Sequence, residues 1–135
     1  MLIDTSVAVP ALVVQHPMHE ECRQLLRKHA PALPGHAWVE TFAVLTRMPL
    51  GPSGAADAFK MLTHHLPEVV WPTTASLEGF LSRCTAASIR GGAVYDALVA
   101  LAVPSGEVLV SRDRRAARTY RAMGVDAATP QDVMS

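Results

Sequence analysis

The chain has no surplus of either charge: twelve Lys and Arg balance twelve Asp and Glu over 135 residues, for a formal net charge of zero. That balance argues against a protein that coats long nucleic acid through many phosphate contacts, and it leaves room only for a local one. Cysteine is scarce too. Cys22 and Cys84 stand far apart and outside any C-x-x-C spacing, which argues against a disulfide framework or a thiolate zinc site, so both are expected to be buried thiols. No apolar run approaches the ~20 residues that span a bilayer. The N-terminus has no basic stretch leading into a long apolar one, so no secretion signal is expected and the cytoplasm is the default compartment, with no membrane partner. H-E-x-x-H, G-x-G-x-x-G and G-K-[ST] are all missing, which removes the helical zinc-protease and nucleotide-phosphate readings. Internal repeats and low-complexity segments are missing as well.

Half of the residues are hydrophobic and 18% are charged, a composition that folds, and the length suits one domain over residues 1–135. Short apolar runs alternate with longer helical ones. "MLID" reads as a strand, and "TSVAVPALVVQ" as a helix that Pro10 bends or enters in its first turn. Pro17 opens a helix, "PMHEECRQLLRKHA", with acids early and bases late, as the helix dipole favours. "HAWVETFAVLTRM" and "GAADAFKMLTHHL", separated by "PLGPSG", predict a helical hairpin. "EVVW" is a strand, and "TASLEGFLSRC" is a helix capped near Thr74 or Ser76. "AVYDALVALAV" is a helix, "EVLVS" a strand, the arginine-rich segment up to Gly124 a helix, and "VDAA" a last strand. This alternation predicts a three-layer α/β domain with a mainly parallel sheet, whose cleft lies beyond the carboxyl ends of its strands.

The chemistry concentrates in four acids. From Ala93 to Val103 every residue except Asp96 is apolar or aromatic, so the helix is expected to be buried and Asp96 to need a cation, strong hydrogen bonds or a shifted pKa. Asp4 ends the first strand, Asp113 follows "EVLVS", and Glu40 sits among mostly apolar neighbours. Read singly, Asp4 and Asp113 are also adequate helix caps and Glu40 a solvated helix residue. Together they predict an oxygen-only pocket suited to Mg²⁺ or Mn²⁺, and hence metal-assisted hydrolysis with Asp4, Glu40, Asp96 and Asp113 as metal ligands and catalytic groups.

These stretches resemble the PIN-domain ribonucleases, and within them the VapC-type toxins of bacterial toxin–antitoxin pairs. "LIDTS", "WVETFAVLTR", "GGAVYDALVALA" and "VLVSRDRRA" carry the likeness, in the family's order and over essentially the whole chain. The resemblance implies a doubly wound parallel sheet, an acidic centre made by Asp4, Glu40, Asp96 and Asp113, a divalent cation, and endonucleolytic cleavage of RNA. By the same likeness Ser6 and Ser111 support the site, and the partners are a small antitoxin over the groove and a second copy of the chain; with Asp4 placed in the acidic centre, helix capping is more naturally assigned to Thr5 or Ser6. The sequence departs from many members after Asp113, where Arg114, Arg115, Ala116 and Ala117 stand in place of a further acid or Asn. Number of metal ions and choice of RNA are not carried by the resemblance.

Five of the twelve basic residues fall in "RDRRAARTYR". Arg114, Arg118 and Arg121 lie at helical spacing and Arg112 flanks Asp113, which makes Arg112, Arg114 and Arg118 candidates for RNA phosphates. A solvated arginine face with Ala117 and Tyr120 packed inward is the plainer reading. The histidines of "HPMH" and "HH" are expected at the surface, and Trp38, Trp71 and Tyr95 in the core and not on bases. Two other functions compete: a PIN-like module that binds RNA or protein without cutting, and a receiver-like phospho-acceptor. The second lacks the paired acids expected after a first strand.

Overall fold

The computed structural model describes residues 1–48, 54–72 and 75–135. Its strands are short. β1 (Leu2–Ile3) leads into α1 (Thr5–Leu12) and α2 (His19–His29); β2 (Leu33–Pro34) leads into α3 (Gly35–Arg47) and α4 (Ala55–His65). β3 (Val69–Val70) is followed by α5 (Leu77–Ala86) and α6 (Ala93–Leu101), then β4 (Val108–Val110), α7 (Arg114–Ala122), β5 (Asp126–Ala128) and α8 (Pro130–Met134). Much of the "PLGPSG" hairpin loop and the candidate cap Thr74 lie outside the described residues, whereas Ser76 does cap α5 through its hydroxyl.

Among the described residues every strand pairing is parallel. β4 lies between β1 and β5, with Leu2 opposite Leu109 and Val110 opposite Ala128, while β2 pairs with β3. A single parallel bridge between Leu2 and Ala32 joins the two ribbons, so the order across the sheet is β3-β2-β1-β4-β5. The chain therefore winds outward from β1 to one edge, then returns to fill the other from β4. Doubly wound parallel sheets open a crevice at such a reversal, between the carboxyl ends of the two central strands. Here that crevice lies between Asp4 and Ser111.

Helices cover both faces, which is why the central strands are continuously apolar: Ile3, Leu33, Leu109 and Val110 are fully buried. α1 packs closely on α2 and α3, and α6 on α7. Cys22 and Cys84 are free, buried thiols. Pro10 sits in the sixth position of α1 and not in its first turn, and α2 starts two residues after Pro17. Gly124 ends the arginine-rich segment with φ 82°, a left-handed conformation that glycine adopts without a Cβ clash. Among the described residues no helix is long and apolar enough to cross a membrane.

Candidate active site

Two of the four acids are placed by the way a strand hands over to a helix. Asp4 follows β1 in an extended conformation and caps α1: its Oδ1 accepts the Ser6 backbone N–H at 3.0 Å and the Ser6 hydroxyl at 2.6 Å. Capping thus falls to Asp4 itself, not to Thr5 or Ser6, because a carboxylate at that point reaches the N–H two residues ahead. Asp113 does the same after β4, its Oδ1 accepting from the N–H groups of Arg115 and Ala116 at 2.9 and 3.1 Å.

The two strand ends are tied together by serines. The Ser6 hydroxyl lies 3.3 Å from the Ser111 hydroxyl and accepts the Arg112 N–H at 2.8 Å, while the Ser111 hydroxyl accepts the Asp113 N–H at 3.0 Å. Arg112 adds a bond from Nη1 to the Ser6 carbonyl at 3.3 Å. That carbonyl is available because Pro10, four residues on, has no N–H to offer it. A proline inside α1 therefore helps to fix an arginine beside the site.

Asp4, Glu40, Asp96 and Asp113 line one cavity of about 320 Å³, together with Ser6, His16, Arg112 and Tyr120. Ser111 lines the neighbouring cavity and reaches this one through its bond to the Ser6 hydroxyl. Arg114 and Arg118 line a neighbouring cavity of about 590 Å³ with Arg121, and the two cavities share Arg112 and Asp113. The acids differ in setting. Asp4 is 4% exposed, whereas Glu40 and Asp113 sit on the open rim. Asp96 is half-buried, not interior as its apolar helix suggests, because it faces the cavity mouth and not the core.

Burial pushes the Asp4 carboxyl up, against the pull of the Ser111, Ser6 and Tyr120 hydroxyls. Asp96 is pushed up to about 6, by burial first and then by the charges of Asp113, Glu40 and Asp4. Among the described residues no Lys or Arg forms an ion pair with any of the four; Glu40 has the His36 ring at 3.8 Å. The cavity therefore holds four carboxylates against one lining arginine, Arg112, whose guanidinium bonds to the Ser6 carbonyl. No three His, Cys, Asp or Glu side chains among the described residues stand close enough to cage an ion by themselves. What fits a hard cation is the donor set: carboxylate oxygens in one cavity, repelling one another. Mg²⁺ in particular is commonly held by one or two carboxylates, several waters and substrate phosphate and not by an all-protein cage.

The PIN domain family profile matches residues 1–122, which span all four acids. The chain belongs to the PIN-domain family. Its relatives include "Ribonuclease VapC27" of Mycobacterium tuberculosis (strain ATCC 25618 / H37Rv), 39% identical over 130 residues, covering 93% of each chain. "Ribonuclease VapC40" of Mycobacterium tuberculosis (strain CDC 1551 / Oshkosh) is 32% identical over 128 residues, covering 91% of this chain and 93% of that one.

Three features of this PIN domain's site escape a local reading of its sequence. Tyr120 is buried as expected, but its hydroxyl also donates to Asp4 Oδ2 at 2.8 Å. The clue is its spacing: seven residues after Asp113, two turns along α7, it returns to the same face. His16 lies on the cavity wall and not on an indifferent surface; its Nδ1 accepts the Met18 N–H at 3.0 Å, and burial followed by Arg112 and His19 lowers its pKa. Trp71 and Tyr95, expected in the core, are 57% and 60% exposed, while Trp38 is half-buried with its ring N–H on the Leu66 carbonyl at 2.9 Å.

The Tyr120–Asp4 bond makes a direct prediction. Tyr120→Phe keeps the ring's packing and withdraws one of the donors that reach a buried carboxylate. A loss of about 1–3 kcal/mol in unfolding free energy is expected, since the remaining acceptor stays desolvated. Urea midpoints at neutral pH measure it; an unchanged midpoint would mean that water replaces the hydroxyl without cost.

Proposed function

We propose that this PIN domain is a Mg²⁺- or Mn²⁺-dependent endoribonuclease that hydrolyses RNA phosphodiester bonds as the toxin of a toxin–antitoxin pair. The observation that carries the reading is the convergence of Asp4, Glu40, Asp96 and Asp113 on one cavity at the sheet's reversal point, none of them ion-paired to a Lys or Arg among the described residues. The names of the two relatives support RNA as the substrate.

In this reading Asp4, Asp96, Asp113 and Glu40 hold the cation. The chemistry a bound cation supplies is a more acidic water and relief of charge on the phosphodiester oxygens. The protein's own contribution is orientation. Ser6 and Ser111 fix Asp4 and Asp113 relative to each other across the strand ends, and Tyr120 holds the far oxygen of Asp4. Glu40, exposed on the rim and tied to no backbone group, is the carboxylate best placed to accept a proton from an attacking water. Arg112, Arg114 and Arg118 then hold phosphates on the α7 side, where the second cavity adjoins the first.

The partners follow from the same reading. An antitoxin that covers the acidic cavity would insert a basic side chain among the four acids, and a homodimer in the cytoplasm is the assembly implied by the family. The experiment is to incubate purified protein with total cellular RNA, with and without Mg²⁺, and to map the new ends. Discrete ends that require Mg²⁺ are expected. Intact RNA in both arms would reject catalysis and leave a module that binds without cutting.

A further inference from the structure

Tyr95 is out of place for a residue in so apolar a helix. It stands next to Asp96 in α6, yet it is 60% exposed and turns away from the core that Ala97, Val99 and Ala100 fill. Its ring lies parallel to that of His36 in α3, with centroids 5.7 Å apart and planes 14° from parallel. The His36 Nε2 is in turn 3.8 Å from Glu40 Oε2. One side of the Tyr95 ring is thus backed by a second flat ring, and the pair adjoins two of the cavity's acids, by chain continuity to Asp96 and by the 3.8 Å contact to Glu40.

Charge divides the two sides of the cavity. On the α7 side, Arg112, Arg114, Arg118 and Arg121 can hold phosphates. On the α3 and α6 side, α6 (Ala93–Leu101) contains no Lys or Arg, and the one arginine of α3 is Arg47 in its last turn, eleven residues from His36. Around His36 and Tyr95 phosphates meet no Lys or Arg on either helix, so this part of the surface attracts a polyanion chiefly through its bases. An exposed ring stacked on another is suited to that, because each nucleobase offers a π face irrespective of its identity. We infer that Tyr95, buttressed by His36, is a stacking platform for an unpaired nucleobase beside the scissile phosphate, so that the strand crosses the acidic cavity with phosphates toward α7 and a base on α6. This rests on the ribonuclease reading and adds to it a named base-contacting residue on the α6 side of the cavity.

The test measures binding with cleavage switched off. A short fluorescein-labelled oligoadenylate and its fully abasic counterpart are titrated with the full chain in chelator, and anisotropy gives each Kd. Tyr95→Ala should weaken oligoadenylate binding about tenfold, leave the abasic strand unaffected, and keep the wild-type melting temperature. Tyr95→Trp and Tyr95→Phe should bind as the wild type does. Loss of His36 in His36→Ala should give a smaller change of the same kind. Equal affinities of wild type and Tyr95→Ala for oligoadenylate would overturn the inference, as would equal losses on both strands or no binding by the wild type. A Tyr95→Ala variant that changes only its sedimentation behaviour would also overturn it, and would assign the ring to a protein contact. The two readings fail separately: Mg²⁺-dependent cleavage with unchanged Tyr95→Ala binding removes the platform alone, whereas base-dependent binding without any cleavage removes the ribonuclease.

Discussion

Asp96→Asn is expected to lower RNA cleavage on the order of a thousandfold and, in metal-free buffer at neutral pH, to make the protein more stable. The two effects share a cause. In the folded chain Asp96 is pushed from its ordinary 3.8 up to about 6 by burial and by Asp113, Glu40 and Asp4. Between those values the folded state keeps a proton that the unfolded state has released, so stability falls as pH rises through the window and the penalty is complete above about pH 6. Because Asp96 is only half-buried and solvent screens its neighbours, the penalty is about 1 kcal/mol. An amide of the same shape carries no charge and escapes it. Scanning calorimetry in chelator should therefore show a higher melting temperature for Asp96→Asn at pH 7.5 and no difference at pH 3.5. A variant that loses both activity and stability would instead mark Asp96 as a structural group, and the inactivity as a consequence of misfolding.

That opposition between stability and activity bears on which parts of the molecule a sequence can express. Asp4 and Asp113 are legible because a strand running into a helix start is a local event: an apolar pair, an acid, then hydroxyl or basic residues that open a helix. The sheet's order is less so. β2 is two residues, Leu33–Pro34, one of them a proline and too short to have a period, and it is absent from the sequence reading although Leu33 N–H bonds to the Glu68 carbonyl at 3.0 Å. α8 is also absent from that reading, though its capping box, Thr129 with Asp132, is written in "TPQD". Helix α6 misleads in a more instructive way. Its apolar content predicts burial all round, but Val94, Leu98 and Leu101 are only half-buried against the core's edge, and the side bearing Tyr95 and Asp96 opens to solvent. Composition records how apolar a helix is and not which neighbour is missing from one side. The Tyr120 bond to Asp4 spans 116 positions, and the His16 approach to the cavity depends on how α1 meets α2. The spacing from Asp113 puts Tyr120 on the right face of α7, but nothing local names Asp4 as its partner, and His16 has no local signature.

Metal removal should produce the other large effect, and its dependence on pH identifies the ligands. With chelator, cleavage is expected to fall to background. Adding Mg²⁺ at about a hundred times its Kd should raise folding stability by about 2.7 kcal/mol, because the ion binds a cluster that exists only in the folded chain. Protons compete for the same oxygens. With Asp96 titrating at about 6, it is almost wholly ionised at pH 7.5 and about a tenth ionised at pH 5, so Mg²⁺ should bind about tenfold more weakly at the lower pH. Asp4, whose carboxyl burial also raises, acts in the same direction. Asp96→Asn should abolish most of this pH dependence along with the affinity, whereas Arg118→Ala, on the phosphate side, should leave both unchanged. Isothermal titration with Mg²⁺ at the two pH values measures it. A Kd indifferent to pH would place the ion away from Asp96, and the crowding of four carboxylates around one cavity would then have to be explained without a cation among them.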